Sequence, residues 1–344
     1  MSGNDEPANI AIIGAGAFGT ALAIVCARAR ANTRASTRNG RAVTLWARNE
    51  DHAAILNAER RNPVHLPACA LPDNVTATAD PHALAAADLV LVVVPAQETR
   101  AVARLFAPVL KPDAHIVACA KGIEQDSGAF QSDILGAELP SHPLTLLSGP
   151  GFAGEIAAGK PTAVTLAGSD SETAERVCRW LAAPGFRPYS STDMRGVELG
   201  GAMKNVIAIA CGIVIGRQLG ESARAALLTR GLAEMARLAG SLGGRSETVF
   251  GLSGLGDLVL TAMSEQSRNM RFGMALAGHD DIHALHAAGM PLAEGVYTAP
   301  VAARLGREHD IPMPITNAVA DILAGALSLD QAIDNLVQRP LRSE

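Results

Sequence analysis

Residues 10–19 read Ile10-Ala11-Ile12-Ile13-Gly14-Ala15-Gly16-Ala17-Phe18-Gly19. Four apolar residues ending at a glycine predict a buried strand, and Leu22, Ala23 and Val25 beyond Gly19 recur at helical spacing and predict a helix. Between strand and helix the glycines fall as G-x-G-x-x-G. Gly14 permits a tight turn, Gly16 lets backbone approach a pyrophosphate, and Gly19 lets helix pack on strand, while the helix's first N–H groups face the phosphates. Such a motif alone is weak; the strand before it and the helix after it supply its context, so the segment predicts a dinucleotide site.

Working outward, Val43–Trp46, Leu89–Val94, Ile116–Ala120 and Leu144–Leu147 are further β-rich runs separated by helical patterns. This alternation predicts an α/β domain with a parallel, doubly wound sheet. Thr162–Leu166 and Phe186–Tyr189, on either side of a helical pattern at Glu172–Leu181, extend it. From about Asp193 the character changes to Ala-, Leu- and Met-rich helical segments: Val197–Ile215, Ala223–Leu242, Arg268–Leu276 and Thr316–Leu323. A boundary near Ser190 therefore divides a dinucleotide-binding domain, residues 1–190, from an all-helical substrate and catalytic domain, residues 191–344.

Composition sets the outer limits. The 344 residues suffice for two domains with separate cores, and 48% hydrophobic against 18% charged residues excludes a disordered chain. With only 3% aromatics the core must be aliphatic, and a net charge of −5 offers no field for nucleic acid or an anionic membrane. Five dispersed cysteines, Cys26, Cys69, Cys119, Cys178 and Cys211, read as buried free thiols of a reducing compartment. The polar, acidic N-terminus is unlike a signal peptide, and no apolar run approaches the ~20 residues of a bilayer span. The expectation is a cytoplasmic protein with no membrane insertion.

At the end of the second strand, where an NAD-selective site places an acid to accept from the ribose 2′-OH, the chain has Arg48. A guanidinium suits a 2′-phosphate, which favours NADPH over NADH. Other strand ends carry Val94-Pro95-Ala96, Ala120-Lys121-Gly122 and Ser148-Gly149-Pro150-Gly151, and the carboxyl ends of parallel strands line the ligand crevice. Lys121 is placed for an anion there. Lys204 and Asn205 stand in a very apolar helix and require partners or a ligand. Asp257 and Thr261 share one face if helical, and Ser267-Arg268-Asn269 offers hydroxyl, guanidinium and amide to a phosphate monoester. Two other clusters read blandly: Arg28, Arg30, Arg34, Arg38 and Arg41 as a solvated loop, and His279, His283 and His286 beside Asp280 and Asp281 as a set with no catalytic motif around it, so no metal is expected.

The blocks GTALA (19–23), LWAR (45–48), VVVP (92–95), KGIE (121–124), SGPGFAGE (148–155), KPTA (160–163), ELGGAMKNVIAIA (198–210), ARAALLTRGLAEM (223–235), GLSGLGDLVLT (251–261), SRNMRFG (267–273), EGVYT (294–298) and IPMPIT (311–316) resemble, in order, the bacterial NAD(P)-dependent glycerol-3-phosphate dehydrogenase family. The resemblance implies a Rossmann-type first domain, a helical second domain with the active site between them, and a homodimer. It implies reversible reduction of dihydroxyacetone phosphate to sn-glycerol 3-phosphate, feeding glycerophospholipid synthesis. It further implies Lys204 as the acid/base residue with Asp257 and Thr261, and Lys121, Gly149, Asn205, Ser267, Arg268 and Asn269 around the substrate. Gly14, Gly16, Ala17, Phe18, Gly19, Arg48, Lys121, Ala153, Arg268, Leu292 and Glu294 would meet the dinucleotide. Ala17, Ala96 and Gly151 stand where the family usually has serine, and Gly151 lacks the hydroxyl of an expected substrate contact.

Protonated Lys204 would then supply a proton to the developing alkoxide, with Asp257 favouring its charged form and Arg268 opposing it. Two alternatives remain: a related two-domain hydroxyacid dehydrogenase, and a non-catalytic NADPH sensor. The sensor would have no use for Lys204, Asp257 and Arg268 together.

Overall fold

The computed structural model describes residues 7–29, 42–279, 285, 290 and 293–339. Arg30, Arg34, Arg38 and Arg41, the cluster residues Asp280, Asp281, His283 and His286, and Leu292 lie outside the described residues. The chain divides into two compact units: Met1–Lys121 with Phe130–Met194, and Gly122–Ala129 with Arg195–Glu344.

The first unit is built on strands β1 (Asn9–Ile13), β2 (Ala42–Trp46), β3 (Arg61–Asn62), β4 (Leu66–Ala70), β5 (Val75–Thr78), β6 (Leu89–Val92), β7 (His115–Ala118), β8 (Leu144–Ser148), β9 (Thr162–Gly168) and β10 (Phe186–Ser191). β3 and β4 form a small antiparallel pair, while the others make one sheet in the order β10-β9-β8-β7-β6-β1-β2-β5. Neighbours are parallel except β8 and β9. That exception departs from the parallel sheet expected of the alternating pattern. It arises at Gly149, whose φ of +141° turns the chain as β8 ends, and whose missing Cβ would lie 2.9 Å from Val164 Cα. The chain then returns through the short helix Ala153–Ala157 to run as β9 beside β8.

β5 was not legible because Val75 is its single strongly apolar residue; only Val75 and Ala77 are buried in it. β6 stops at Val92 rather than Val94, since the following carbonyl, that of Val93, closes over the Gly14 turn. The core is aliphatic, with Ile10, Ile12, Leu45, Leu56, Leu89 and Leu91 fully buried, each contributing about 1.5–3 kcal/mol.

His115 occupies that interior on β7, its Nε2 3.2 Å from Thr145 Oγ1 and its ring edge-on to Trp180. Burial, with the Arg176 guanidinium adding to it, pushes the imidazole down to about 4. The unfolded chain binds this proton near pH 6.5, so stability is full above that pH and is lost as the pH falls toward 4. Urea unfolding of wild type and His115→Gln between pH 7 and 4 should differ by about 3 kcal/mol in that pH dependence. Parallel pH profiles would show that His115 does not titrate separately in the two states.

The second unit is helical: Met194–Gly216, Glu221–Ser241, Asp257–Ala262, Arg268–Leu276, Glu294–Glu308, Pro314–Leu323 and Leu329–Val337 are its main helices. The first, at 23 residues, is long and apolar enough by length and composition to cross a membrane, contrary to the sequence expectation. Of its most apolar window, 89% is buried inside the protein, and it carries Lys204 and Asn205, so here it serves as a core helix. It meets Arg268–Leu276 at glycines: a Cβ on Gly212 would lie 2.2 Å from Met270 O, and one on Gly273 2.0 Å from Ile209 O. Buried Glu234 accepts from Ile315 N and Thr316 N, satisfying the start of the Pro314–Leu323 helix. Of the cysteines, all free, Cys69 and Cys178 are only half-buried, which corrects the expectation of five buried thiols. Burial pushes the Cys211 thiol up to about 12, leaving it unreactive.

Candidate active site

In the first unit the glycine turn has the features its motif requires. Gly14 sits at φ +115°, and a Cβ there would lie 2.4 Å from Val93 O; one on Gly19 would lie 1.9 Å from Gly14 O. Nothing lies within 4 Å of a Cβ built on Gly16, which leaves open space where a pyrophosphate would approach. Gly16 is also the N-cap of the helix Ala17–Arg28 and provides no side chain to its first N–H groups. A cramped turn beside an open backbone face fits a dinucleotide.

Lys121 follows β7, and its Nζ donates to Gly149 O at 2.8 Å and stands 5.8 Å from the Phe18 ring centroid. Three expected residues, Lys121, Gly149 and Phe18, are thus neighbours. Ala153 opens the short helix Ala153–Ala157. Arg48 is exposed directly beyond β2, while Asn49 caps the next helix through His52 N and Glu50 is committed to that helix's first turn.

In the second unit the long helix places Lys204 at 7% exposure and Asp257 is 2% exposed. Lys204 Nζ donates to Asp257 Oδ1 at 2.6 Å and to Thr261 Oγ1 at 2.9 Å. A buried ammonium requires such partners, and removing one would strand the other charge at about 3–5 kcal/mol. Asp257 and Thr261 reach Lys204 together because Asp257–Ala262 is helical, placing positions i and i+4 on one face. A π-helical turn, Leu252–Gly256, leads into it. Close approach is again made by glycine: a Cβ on Gly200, one turn before Lys204, would lie 3.0 Å from Gly254 Cα.

The Ser267-Arg268-Asn269 set is less uniform than its sequence suggests. Ser267 Oγ accepts from Met270 N and caps its own helix. Asn269 is buried, its Nδ2 donating to Asn205 Oδ1 at 2.8 Å and its Oδ1 accepting from Gly295 N at 2.9 Å. Only Arg268, the first residue of its helix, is exposed. Gly295 did not stand out in the sequence, although its place beside Glu294 was a signal: a Cβ there would lie 2.6 Å from Asn205 O.

The first half of the chain, residues 9–174, matches the NAD-dependent glycerol-3-phosphate dehydrogenase N-terminus, and residues 193–334 match the C-terminus of the same family. The glycerol-3-phosphate dehydrogenase [NAD(P)+] of Rhizobium johnstonii is 49% identical, over 98% of this chain and 99% of its own. That of Rhodospirillum rubrum is 50% identical, over 98% of this chain and 94% of its own. The crystal structure of glycerol-3-phosphate dehydrogenase from Coxiella burnetii, 40% identical, superposes with a TM-score of 0.88 over 97% of this chain and all, 100%, of that one. With a Gly-rich dinucleotide turn in one unit and a buried Lys–Asp–Thr cluster in the other, this chain belongs to the NAD-dependent glycerol-3-phosphate dehydrogenase family.

Proposed function

We propose that the protein is an NAD(P)H-dependent oxidoreductase that reduces dihydroxyacetone phosphate to sn-glycerol 3-phosphate, reversibly. The observation that carries this reading is the buried contact of Lys204 with Asp257 and Thr261, a proton donor held by one anion and one hydroxyl. Gly14, Gly16, Gly19 and Phe18, with Ala17 and Ala153 beside them, would hold the dinucleotide, to which the family resemblance adds Arg268 and Glu294; reduced nicotinamide would supply a hydride to C2 of the substrate. Lys204 Nζ passes its proton to the C2 oxygen as negative charge develops there, while Asp257 and Thr261 keep the ammonium aimed. Arg268 and neighbouring donors would orient the phosphate, so binding remote from the reacting carbon would fix the carbonyl's position.

Spectrophotometric NADPH oxidation with dihydroxyacetone phosphate tests the reading directly. Turnover of hydroxyacids or ketoacids, with none of the triose phosphate, would favour the related hydroxyacid dehydrogenases. Binding of NADPH with no turnover of either would favour a sensor. The product is the backbone of glycerophospholipids, so lipid synthesis in the cytoplasm, by a homodimer, is the setting we infer from the family resemblance.

Cofactor preference rests on Arg48. Only NADPH carries a 2′-phosphate for this exposed guanidinium. Arg48→Ala should weaken NADPH binding about tenfold while changing NADH less than twofold, the loss of one charge-assisted pair. Steady-state kinetics with both cofactors decides it; a native preference for NADH, indifferent to the mutation, would mean that Arg48 serves only solvent.

A further inference from the structure

The amide chain Asn205–Asn269–Gly295 has a fixed polarity. Gly295 N is a backbone donor, so Asn269 must turn its Oδ1 toward it, and its Nδ2 therefore faces Asn205, which must present Oδ1. Each member is the residue immediately after one assigned to the chemistry: Lys204 precedes Asn205, Arg268 precedes Asn269, and Glu294 precedes Gly295. Two of these stretches are also pressed together: a Cβ on Gly295 would lie 2.6 Å from Asn205 O and 2.7 Å from Ile209 Cδ1. Asn269 is buried, and its two hydrogen bonds both run to other members of this chain.

We propose that Asn269 is a positioning residue which, through Asn205 and the Gly295 amide, keys the proton donor Lys204, the phosphate cation Arg268 and the dinucleotide-facing Glu294 into one register. The inference rests on the dehydrogenase reading for the roles of those three neighbours. It departs from the family expectation for Asn269, a contact with the substrate alone. A residue that touches only substrate cannot alter dinucleotide affinity when no substrate is present. A residue that holds the start of the Glu294–Glu308 helix does alter it.

The test is the Kd for NADPH, read by nucleotide fluorescence with no substrate, in wild type, Asn205→Ala, Asn269→Ala and the double mutant, at a temperature where circular dichroism shows each to be folded. Asn269→Ala, which removes both of its buried hydrogen bonds, should raise that Kd about tenfold and should lower kcat as well. For NADPH the double mutant should be no worse than Asn269→Ala, since Asn205 acts on the dinucleotide through its bond to Asn269, already lost in the single mutant. An unchanged NADPH Kd in Asn269→Ala, with only the KM for dihydroxyacetone phosphate raised, would overturn the proposal in favour of simple substrate contact. Multiplicative effects of the two mutations would overturn it in favour of independent roles. Failure of wild type to bind NADPH or to turn over the triose phosphate would instead strike the dehydrogenase reading itself.

Discussion

Turnover by Lys204→Ala is expected to fall about 10²–10⁴-fold, the usual worth of a positioned general acid, while NADPH affinity changes little. Proton transfer and dinucleotide docking draw on different residues: the ammonium bonded to Asp257 and Thr261 on one hand, the Gly14–Gly19 turn on the other. The mutation also leaves Asp257 buried at 2% exposure without its cation, so a stability loss of about 3–5 kcal/mol accompanies it. Asp257→Asn in the same background should recover much of that stability and none of the turnover. Kinetics on protein shown to be folded separates the two effects. Near-normal kcat in folded Lys204→Ala would remove Lys204 from the proton path.

The second large effect concerns the phosphate. Arg268→Ala should raise the KM for dihydroxyacetone phosphate about 10–100-fold, because a hydrogen bond to a charged group is worth about 1.5–3 kcal/mol. Arg268 is the exposed member of its segment, standing at the N-terminus of a nine-residue helix that itself favours an anion. Unphosphorylated dihydroxyacetone should be poorer still with the intact enzyme, since it forfeits every phosphate contact at once. Equal kcat/KM for the two substrates would dissociate this cation from substrate recognition and reopen the hydroxyacid alternative.

Much of this architecture is legible from local pattern. The glycine turn is readable because its constraints are steric and sequential: Gly14 and Gly19 each meet a carbonyl at under 2.5 Å if given a Cβ, so few other residues could stand there. Asp257 and Thr261 are readable as partners because helical spacing alone puts them on one face. β5 is not legible in sequence because four residues with one strongly apolar side chain carry almost no periodic signal; pairing with β2 decides it. The capping role of Ser267 is not legible because a hydroxyl's partner is not written in its neighbours; in the fold its oxygen accepts from Met270 N at the start of the Arg268–Leu276 helix, which leaves its O–H to donate to a phosphate. The Asn269 bonds are hidden in sequence for the same reason, since Asn205 and Gly295 are remote from it and meet it only through tertiary packing.

The assignment of Gly122–Ala129 to the second unit, while Phe130–Met194 returns to the first, means that neither unit is a continuous length of chain. On the ribosome, the eight-residue loop emerges well before the helices it joins and waits until the rest of the first unit has been made. Gly128 shows what it waits for: at φ +74°, it packs so close to the Arg304 guanidinium that a Cβ would lie 2.6 Å from Nη2. A fragment cut at Arg195 is therefore an incomplete second unit, and dissection of this enzyme into separately expressed halves should succeed only when the loop is supplied with the C-terminal piece.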